Sequence, residues 1–551
     1  MSVPIAEPSA TSSSATRSAR PGVAAWRSWL FGGRLLIALG GVALIIGLLS
    51  LAIPSTPSYD PWAWLVWGHE IVHGSLHTPG GPSWKPLPML FTVPFALFGH
   101  LQPDMWLVVA RAGAAFCVLM CFKLAYRLTR DLGPGLEGRT GGARALLQIA
   151  PIIAGLLAAG SLINSPGFVS DNALGYSEGL ATGLMLGAVD RFLDGSRRQA
   201  FVIGFFVALD RPETWPFWGL YGIWLAWRDP GARKLVIGLF VLTLLLWFGP
   251  AGFSGVTRAQ KPRSNSAAFT ACPFCTVFRK EAWLSVMNRI KIPGIGAIVV
   301  AAIALWWTRA RWWRTWDADR PTRARAWLVI IGVFGFVWWA LIGLETQLHF
   351  SGNARYLVLG TAPVGIAGAV AWGWLAQALP RWLGRLGQHV SSLRAAAAER
   401  FTVPAGAVVA VGLFLAVPWW IGNSLISLPK THRALVYQAH LREDLNQIVR
   451  DYGGAKKLLA CGQVMTEGFQ VPMVAWTLGV RTLQVTDQPA DPLPTSAAGA
   501  PNVILQDRDN GSPHTALLPL PETILRWEAL GVHYKLISHV DTFRLFTACR
   551  K

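Results

Sequence analysis

One carboxylate of this chain stands at the boundary between an apolar run and an aromatic segment. Asp60 follows Leu35–Ile53, a run that has no charge and is long enough to cross a bilayer. Its neighbours Tyr59 and Trp62 are of the kind that favours membrane interfaces. A carboxylate there is a poor contact for lipid chains but is well placed to act on a lipid-linked substrate. A structural alternative stays open, because Asp60 before Pro61 fits a helix N-cap, which would also hold the carboxylate in place.

The composition is that of a protein that crosses a membrane several times. Hydrophobic residues make up 52% of the 551 residues and charged residues only 14%, against about 25% in soluble domains. The formal net charge of +20 would also fit a nucleic-acid-binding protein. Most basic residues, however, lie in short stretches between apolar runs, which is the positive-inside pattern. The lipid bilayer is therefore an expected partner, and nucleic acid is not.

The sequence predicts an α-helical polytopic protein of the plasma membrane with about eleven spans. The arginines before the first span place the N-terminus in the cytoplasm, and the later basic stretches agree with this orientation. The loop 251–291 is predicted to lie outside although it is basic, since long loops escape the charge rule. The predicted spans are Leu35–Ile53, Met105–Tyr126, 146–163, 176–193, 200–209, 214–227, 235–250, 292–308, 326–344, 356–376 and 402–421.

The last part of the chain, 428–551, is not membrane-like and is predicted to form a small extracytoplasmic α/β domain. The chain then divides into a disordered cytoplasmic tail over 1–30, a transmembrane domain over 31–427 with its first outer loop at 54–104, and this C-terminal domain. Its predicted strands are Lys456–Cys461, Val480–Val485 and Asn502–Gln506, its predicted helices are Glu467–Leu478 and Glu522–Leu530, and its predicted closing hairpin is His533–His539 with Thr542–Thr547.

Four cysteines are expected to form two disulfides in an oxidising compartment. Cys272 and Cys275 form a CxxC in the long outer loop, and the thioredoxin-like context that a redox role requires is not evident. Cys461 and Cys549 both lie in the C-terminal domain and are expected to form the second bridge.

Three histidines, His69, His73 and His77, recur every four residues, a spacing that could bind zinc. His73 is followed by Gly74, and this pair is typical of a helix end. Histidines on a solvated helix face are therefore expected instead of a zinc site.

The order of short motifs along the chain resembles that of the GT-C superfamily of integral-membrane glycosyltransferases, above all its protein-mannosyltransferase and lipid A aminoarabinose-transferase branches. In that family an acidic residue in the first outer loop precedes a Lys-Pro-Pro-Leu-like element, which here reads Lys85-Pro86-Leu87-Pro88. The resemblance covers roughly residues 30–380. The high usage of Ala, Gly, Arg and Trp is compatible with a high-GC bacterium such as an actinobacterium. The remaining motifs that carry the resemblance are Leu97-Phe98-Gly99, Arg111, Tyr176-Ser177-Glu178, Arg211-Pro212-Glu213 and Arg355-Tyr356.

The resemblance implies transfer of a sugar from a polyprenyl-phosphate donor to a glycan, lipid or protein acceptor of the cell envelope, with inversion. Asp60 would be the general base. Many relatives carry an acidic pair in the first outer loop, whereas here Asp60 is followed by Pro61, so a second carboxylate would come from Glu70 or Glu178 or be unnecessary. Lys85, Arg211 and Arg355 would bind the donor phosphate. The alternatives for these cations are a snorkelling side chain or an internal ion pair, the latter especially for Arg211 beside Asp210. Further substrate contacts would come from Tyr59, Trp62, Trp84, Glu213 and His349.

The roles of the remaining carboxylates stay open in the sequence. Glu178, Glu213 and Glu345 stand at outer span ends, where they could assist the base, bind sugar hydroxyls or ligate a divalent cation. The sequence has no DxD pair and no tight acidic cluster, so no metal site is predicted.

The main alternative function of the protein is a lipid or solute transporter. The two short apolar stretches interrupted around Asp210 and Glu213 are the best indication of it. A membrane oxidoreductase acting through Cys272 and Cys275 is a more distant one.

Overall fold

The computed structural model describes residues 33–78, 81–133, 141–253, 319–347, 353–390, 426–487, 495–508, 517–519 and 521–549. The predicted spans 292–308 and 402–421 lie outside these ranges. So do the predicted substrate contact His349 and the predicted disulfide partners Cys272 and Cys275.

The part of the chain before the C-terminal domain consists of helices and their connections in the described ranges, and contains no strand there. The two short apolar helices at Arg197–Asp210 and Trp215–Arg228 are separated by the predicted interruption, where Pro212 cannot continue a helix. The helices are α1 Arg34–Leu49, α2 Tyr59–Val72, α3 Pro86–Phe95, α4 Gln102–Leu132, α5 Gly141–Ile163, α6 Phe168–Ala173, α7 Glu178–Leu193, α8 Arg197–Asp210, α9 Trp215–Arg228, α10 Arg233–Phe253, α11 Arg320–Gln347 and α12 Val358–Val390.

The predicted polytopic membrane fold is confirmed. Among the described residues, five helical segments are long and apolar enough to cross a membrane, namely Arg34–Ala52, Pro86–Leu132, Pro230–Pro250, Arg320–Thr346 and Ala354–Trp374. A shorter apolar helix covers Leu147–Ile163. Large apolar side chains of α1 and α10 are exposed, which is the arrangement expected of surfaces that face lipid chains.

The C-terminal domain is a mixed sheet with helices packed against it. Strand β1 lies between β2 and β3 and is parallel to both, and β6 and β5 extend the sheet in antiparallel order beyond the central strand β3. A helix connects the parallel strands β1 and β2, as parallel pairing requires. The elements are α13 Leu428–Tyr452, α14 Ala455–Cys461, β1 Val464–Thr466, α15 Val471–Leu478, β2 Val485–Asp487, β3 Val503–Arg508, β4 Leu517–Leu518, α16 Pro521–Ala529, β5 Lys535–His539 and β6 Phe543–Thr547.

Two of the predicted strands are wrong or misplaced. The segment Lys456–Cys461 is helical, as α14, because it consists of helix-forming Lys, Leu and Ala and contains no β-branched residue. The segment Val480–Val485 is mostly a 3₁₀ turn, Thr482–Gln484, in which the Gln484 side chain accepts from the Arg481 backbone N–H at 3.0 Å. The strand β2 begins only at Val485.

The C-terminal domain packs directly on α2, the helix that carries Asp60. Trp62 of α2 and Trp476 of α15 lie with ring centroids 5.1 Å apart. The Trp476 indole N–H donates to Gln102 Oε1 at 3.2 Å, and Arg442 forms an ion pair with Asp104 at 3.0 Å. One apolar core therefore runs from α2 and α4 into the sheet domain.

Candidate active site

Seven ionisable side chains from distant parts of the chain meet at the end of the helix bundle that lies next to the C-terminal domain. They are delivered by the starts of α2, α3 and α7, by the break between α8 and α9, and by the short turn before α12. This charge cluster consists of Asp60, Lys85, Glu178, Asp210, Arg211, Glu213 and Arg355.

Glu178 is the centre of the charge cluster. Its Oε1 lies 3.6 Å from Lys85 Nζ and 3.6 Å from Arg355 Nε. The same oxygen accepts a hydrogen bond from Arg211. Glu178 is also fully buried, so its charge depends on these three cations for stabilisation.

Asp60 joins the charge cluster through a single cation. Arg355 Nη2 donates to Asp60 Oδ2 at 2.8 Å, across 295 residues of sequence. The same guanidinium donates to the Tyr356 hydroxyl at 3.2 Å. Arg355 thus links the Asp60 carboxylate to that of Glu178, and the two acids lie on either side of one fork.

Asp60 does not cap its helix, so the structural alternative drawn from the sequence is wrong. The N-cap of α2 is Ser58, whose backbone is extended, and Asp60 is already the second helical residue. Pro61 is tolerated at the third position because the first N–H groups of a helix have no partner within it. Ser58 instead pairs its hydroxyl with that of Tyr176 at 3.0 Å.

The three cations of the charge cluster are enclosed rather than snorkelling. The side chains of Lys85, Arg211 and Arg355 are only 7%, 3% and 11% exposed. Each lies over an aromatic ring, since Arg355 lies 3.9 Å from the centroid of Tyr176, Arg211 lies 4.4 Å from that of Tyr356, and Lys85 lies 5.2 Å from that of Trp64. Such cation–π contacts stabilise charges that have left water.

Four carboxylates face these three cations. Lys85 also lies 3.8 Å from Asp210, and Arg211 lies 3.6 Å from Glu213, so the internal ion-pair alternative describes this structure. Buried oxygens of Glu178 and Glu213 nevertheless lack a hydrogen-bond partner. Because buried polar atoms are normally satisfied, these oxygens are available to a ligand that carries hydroxyl groups.

Each carboxylate of the charge cluster lies within 4.0 Å of a lysine or arginine nitrogen, so these cations neutralise the charge that a metal ion would otherwise balance. Within the described ranges no group of three or more His, Cys, Asp or Glu side chains is arranged to hold a metal ion. The rings of His69 and His73 do lie 4.2 Å apart on α2.

Other predicted site residues lie elsewhere. Tyr59 packs edge-on against Phe469 at 6.1 Å, and the Trp84 indole donates to the Leu246 carbonyl at 3.1 Å. Trp62 faces Trp476 of the C-terminal domain, as described above. Cys461 and Cys549 are joined by a disulfide.

Glu70, one of the two expected second carboxylates, is not part of the charge cluster. Its side chain accepts from the backbone N–H of His77 at 2.8 Å and closes the loop after α2. Burial raises the pKa of Glu70 to about 7, against the lowering effects of that hydrogen bond and of Arg481. Of the two candidates for the second carboxylate, Glu178 is the one that, like Asp60, contacts Arg355.

Four residues that complete the site were given no site role from the sequence. Asp210 was considered as a partner of Arg211 and as an indication of a transporter, yet it also faces Lys85. Ser177 accepts a hydrogen bond from Lys85 Nζ at 3.2 Å, and Tyr176 and Tyr356 supply the rings below the arginines. The signal was present, because Tyr176, Ser177 and Tyr356 belong to the motifs that contain Glu178 and Arg355.

Asp171 on α6 adds a titratable group close to the charge cluster. Burial raises its pKa to about 7, the nearby Arg355 guanidinium opposes this shift, and the charge of Glu178 reinforces it. Asp171 is therefore expected to change charge near neutral pH, close to the arginine that holds Asp60.

No family model matches this chain, and no curated protein is significantly similar to it. The solved structures that are similar to it include two of ArnT from Cupriavidus metallidurans. ArnT from Cupriavidus metallidurans bound to undecaprenyl phosphate is 12% identical, with a TM-score of 0.46 over 94% of this chain and 98% of that chain. The apo state of that ArnT is 13% identical, with a TM-score of 0.44 over 95% of this chain and 98% of that chain. At this level of similarity, neither match carries an argument about substrate or chemistry.

Proposed function

We propose that this protein is a membrane glycosyltransferase that moves a sugar from a polyprenyl-phosphate donor to an acceptor hydroxyl of the cell envelope. The proposal is supported by the sequence motifs shared with GT-C enzymes and by the side-chain geometry. The observation that carries it is the ion pair between Asp60 and Arg355 at 2.8 Å. This pair puts the candidate base and a candidate phosphate-binding cation in contact inside one buried cluster.

The cations provide a site for the donor phosphate once their present partners give way. Lys85, Arg211 and Arg355 surround Glu178, and a phosphate entering there exchanges carboxylate contacts for phosphate contacts. Guanidinium groups bind phosphate through two parallel N–H bonds, and lysine adds a point charge. When Arg355 turns to the phosphate, the carboxylate of Asp60 is released from its ion pair and becomes available as a base.

The chemical step then needs one proton acceptor and one stabilised leaving group. Asp60 takes the proton of the acceptor hydroxyl as that oxygen bonds to the anomeric carbon of the sugar. The bond between the anomeric carbon and the phosphate oxygen breaks, and its electron pair leaves with polyprenyl phosphate. The three cations stabilise the extra negative charge on that phosphate. Attack from the face opposite the leaving group inverts the anomeric centre.

The proposal also assigns an orientation of the protein in the membrane. The charge cluster and the C-terminal domain would lie on the outer face of the plasma membrane, with the N-terminus in the cytoplasm, as the basic residues of the sequence indicate. The acceptor, a glycan, lipid or protein, would reach Asp60 from the side of the C-terminal domain, where Tyr59 and Trp62 lie. The donor would enter with its lipid chain in the bilayer.

The test compares purified wild type, Asp60→Asn and Asp104→Asn in nanodiscs with radiolabelled polyprenyl-phosphate mannose, arabinose and glucose. Asp104 is the matched control, because it is also a carboxylate paired with an arginine at the same end of the bundle, at 3.0 Å from Arg442. We expect transfer or slow donor hydrolysis by the wild type and by Asp104→Asn. Loss of a general base typically lowers the rate about 10²- to 10⁴-fold, so Asp60→Asn should be nearly inactive while still binding donor.

Equal turnover by wild type and Asp60→Asn would remove Asp60 from the mechanism. Failure of the folded wild type to bind any donor would contradict the proposal as a whole. That result would favour the transporter alternative, for which the break at Asp210–Glu213 and its buried charges are the structural indication.

A further inference from the structure

A second charged feature lies at the opposite end of α4 from the charge cluster. A cavity of about 380 Å³ opens between the ends of α4 and α7 and the beginning of α11. We call it the arginine pocket. Its charged lining is Arg127, Arg130, Asp131, Arg320 and Arg323, over an apolar floor that includes Leu128.

The positive charge of the arginine pocket is only partly neutralised. Arg127 is held by Asp190 at 3.1 Å and by Asp194 at 2.6 Å, and Arg130 pairs with the neighbouring Asp131 at 2.9 Å. Asp190 in turn also holds Lys123, at 2.5 Å.

The two arginines that α11 contributes to the pocket differ from Arg127 and Arg130 in their ion pairing. Arg320 and Arg323 have no ion-pair partner among the described residues. The Nε of Arg323 is buried without a hydrogen-bond partner. The pocket therefore holds two guanidinium groups whose charge is balanced by no carboxylate within the described ranges, and one of them has a donor left unsatisfied.

The position of the arginine pocket matches a membrane boundary. Arg127 lies sixteen residues after Arg111 of the same helix α4, which is about 24 Å along a helix. That separation approaches the ~30 Å thickness of the hydrocarbon core. Apolar helices α4 and α11 continue from the pocket into the bundle. A ligand there meets arginines at its head and apolar helix surface below, as a lipid does.

We propose that the arginine pocket binds the phosphate group of an anionic phospholipid from the leaflet opposite the charge cluster. The fork of an arginine matches a phosphate, and basic pockets between membrane helices are a known mode of headgroup recognition. Arginines that only set topology need no enclosure, whereas Arg323 is partly buried in the wall of a cavity. This inference does not depend on the proposed sugar transfer.

The test counts lipids retained by the full-length protein. Wild type is reconstituted in phosphatidylcholine nanodiscs containing phosphatidylglycerol, released, and analysed by native mass spectrometry. The pocket variant is Arg320→Gln with Arg323→Gln. The matched control is Arg228→Gln with Arg233→Gln, which removes the same charge at the same end of the bundle, outside the pocket, from residues that are exposed. A third variant, Arg323→Lys, keeps the charge but loses the fork.

We expect the pocket variant to retain phosphatidylglycerol at least about ten-fold less well than wild type, and the control to stay within about two-fold. Arg323→Lys should fall between them. Equal losses in the pocket and control variants would overturn the proposal, since they would show attraction by general charge. Retention of phosphatidylcholine as strongly as phosphatidylglycerol would do the same. Displacement of the lipid by millimolar inorganic phosphate would overturn the lipid assignment and make the pocket a site for free phosphate.

Discussion

At the scale of the residue, the fork of Arg355 joins the two carboxylates that matter most to the proposed chemistry. Its Nη2 bonds Asp60 while its Nε lies 3.6 Å from Glu178. Lysine has one point charge and cannot keep both contacts. Arg355→Lys should therefore lower transfer about 10²- to 10³-fold, the range seen when one preorganised charge contact is removed.

The matched control for Arg355→Lys is Arg442→Lys. Like Arg355, Arg442 pairs with a carboxylate, that of Asp104 at 3.0 Å, and lies over an aromatic ring, but it is outside the charge cluster and contacts no second carboxylate among the described ion pairs. The measurement is kcat for transfer, with thermal unfolding of each variant. Similar kcat values for Arg355→Lys and wild type would show that the fork is not required.

Asp171 predicts a pH dependence near neutrality. Its pKa is raised from 3.8 to about 7 by burial, so the group is neutral below that pH and negative above it. The negative charge that Asp171 gains beside Arg355 opposes the anionic donor, and the KM for donor should rise between about pH 6 and 8.

The raised pKa of Asp171 also affects stability. Because the folded protein binds this proton more tightly than the unfolded chain, the contribution of Asp171 to the unfolding free energy falls as pH rises from 3.8 to about 7.

The variant that tests this dependence is Asp171→Asn, which is neutral throughout. Its donor KM should be nearly constant between about pH 6 and 8, and its unfolding midpoint should lose the corresponding slope. Retention of the wild-type KM profile in Asp171→Asn would assign the titration to another group.

At the scale of the element, the distance between α2 and α3 sets the distance between Asp60 and Lys85. Gly68 of α2 lies so close to α3 that an added Cβ would stand 2.6 Å from the Thr92 carbonyl oxygen. The Gln102 amide links α2 and α3 at this contact, because its N–H groups donate to the carbonyls of Leu65 at 3.2 Å and Thr92 at 3.0 Å.

Gly68→Ala should therefore push the two helices apart. Overpacking of this kind costs about 1–3 kcal/mol, and we expect a lower unfolding midpoint together with reduced transfer. Gly40→Ala is the control, because no atom lies within 4 Å of its added Cβ, and alanine in a helix interior is favoured over glycine by about 1 kcal/mol. A Gly68→Ala protein as stable and active as wild type would show that the helix spacing tolerates a methyl group.

The sequence predicted the membrane helices, the strands of the C-terminal domain and the charge cluster to different extents. Long apolar runs predicted the membrane helices because their length follows from bilayer thickness. The strand predicted at Lys456–Cys461 is wrong because the segment is rich in the helix formers Lys, Leu and Ala. Gly453 and Gly454, both at positive φ, separate it from α13, so that it forms a helix of its own. Six of the seven residues of the charge cluster were named as candidate site residues from the sequence, with Lys85, Arg211 and Arg355 taken together as phosphate ligands. Their pairing with Glu178 was not predicted, because it depends on tertiary contacts between elements far apart in sequence.

At the scale of the whole molecule, the C-terminal domain and the membrane helices are joined where Asp60 lies. Gln102 takes part in this joint, because its amide bonds α2 and α3 while its carbonyl accepts from Trp476. The apolar core is continuous across the joint. A substrate bound against the C-terminal domain would therefore be held at a fixed position relative to the charge cluster.

Phe469 is the side chain of this domain best placed to contact an acceptor. It is 58% exposed, yet its ring lies 6.1 Å from that of Tyr59, the residue before Asp60. An aromatic face next to the base could stack on a sugar ring, a contact worth roughly 0.5–1.5 kcal/mol, by analogy with aromatic pairs. We therefore expect Phe469→Ala to raise the KM for acceptor about three- to ten-fold, with donor KM unchanged, since the donor phosphate is proposed to bind on the other side of Asp60.

The readout that separates this role from a structural one is the comparison of acceptor and donor KM, measured as transfer to an envelope extract and as donor hydrolysis without it. Because Phe469 is largely exposed, Phe469→Ala should unfold at nearly the wild-type temperature. Leu525→Ala is the control, since Leu525 belongs to the same domain and is 61% exposed but lies on α16, outside the joint with α2. Equal changes in acceptor and donor KM, or the same effect in Leu525→Ala, would mean that the domain acts by supporting α2 and not by holding the acceptor.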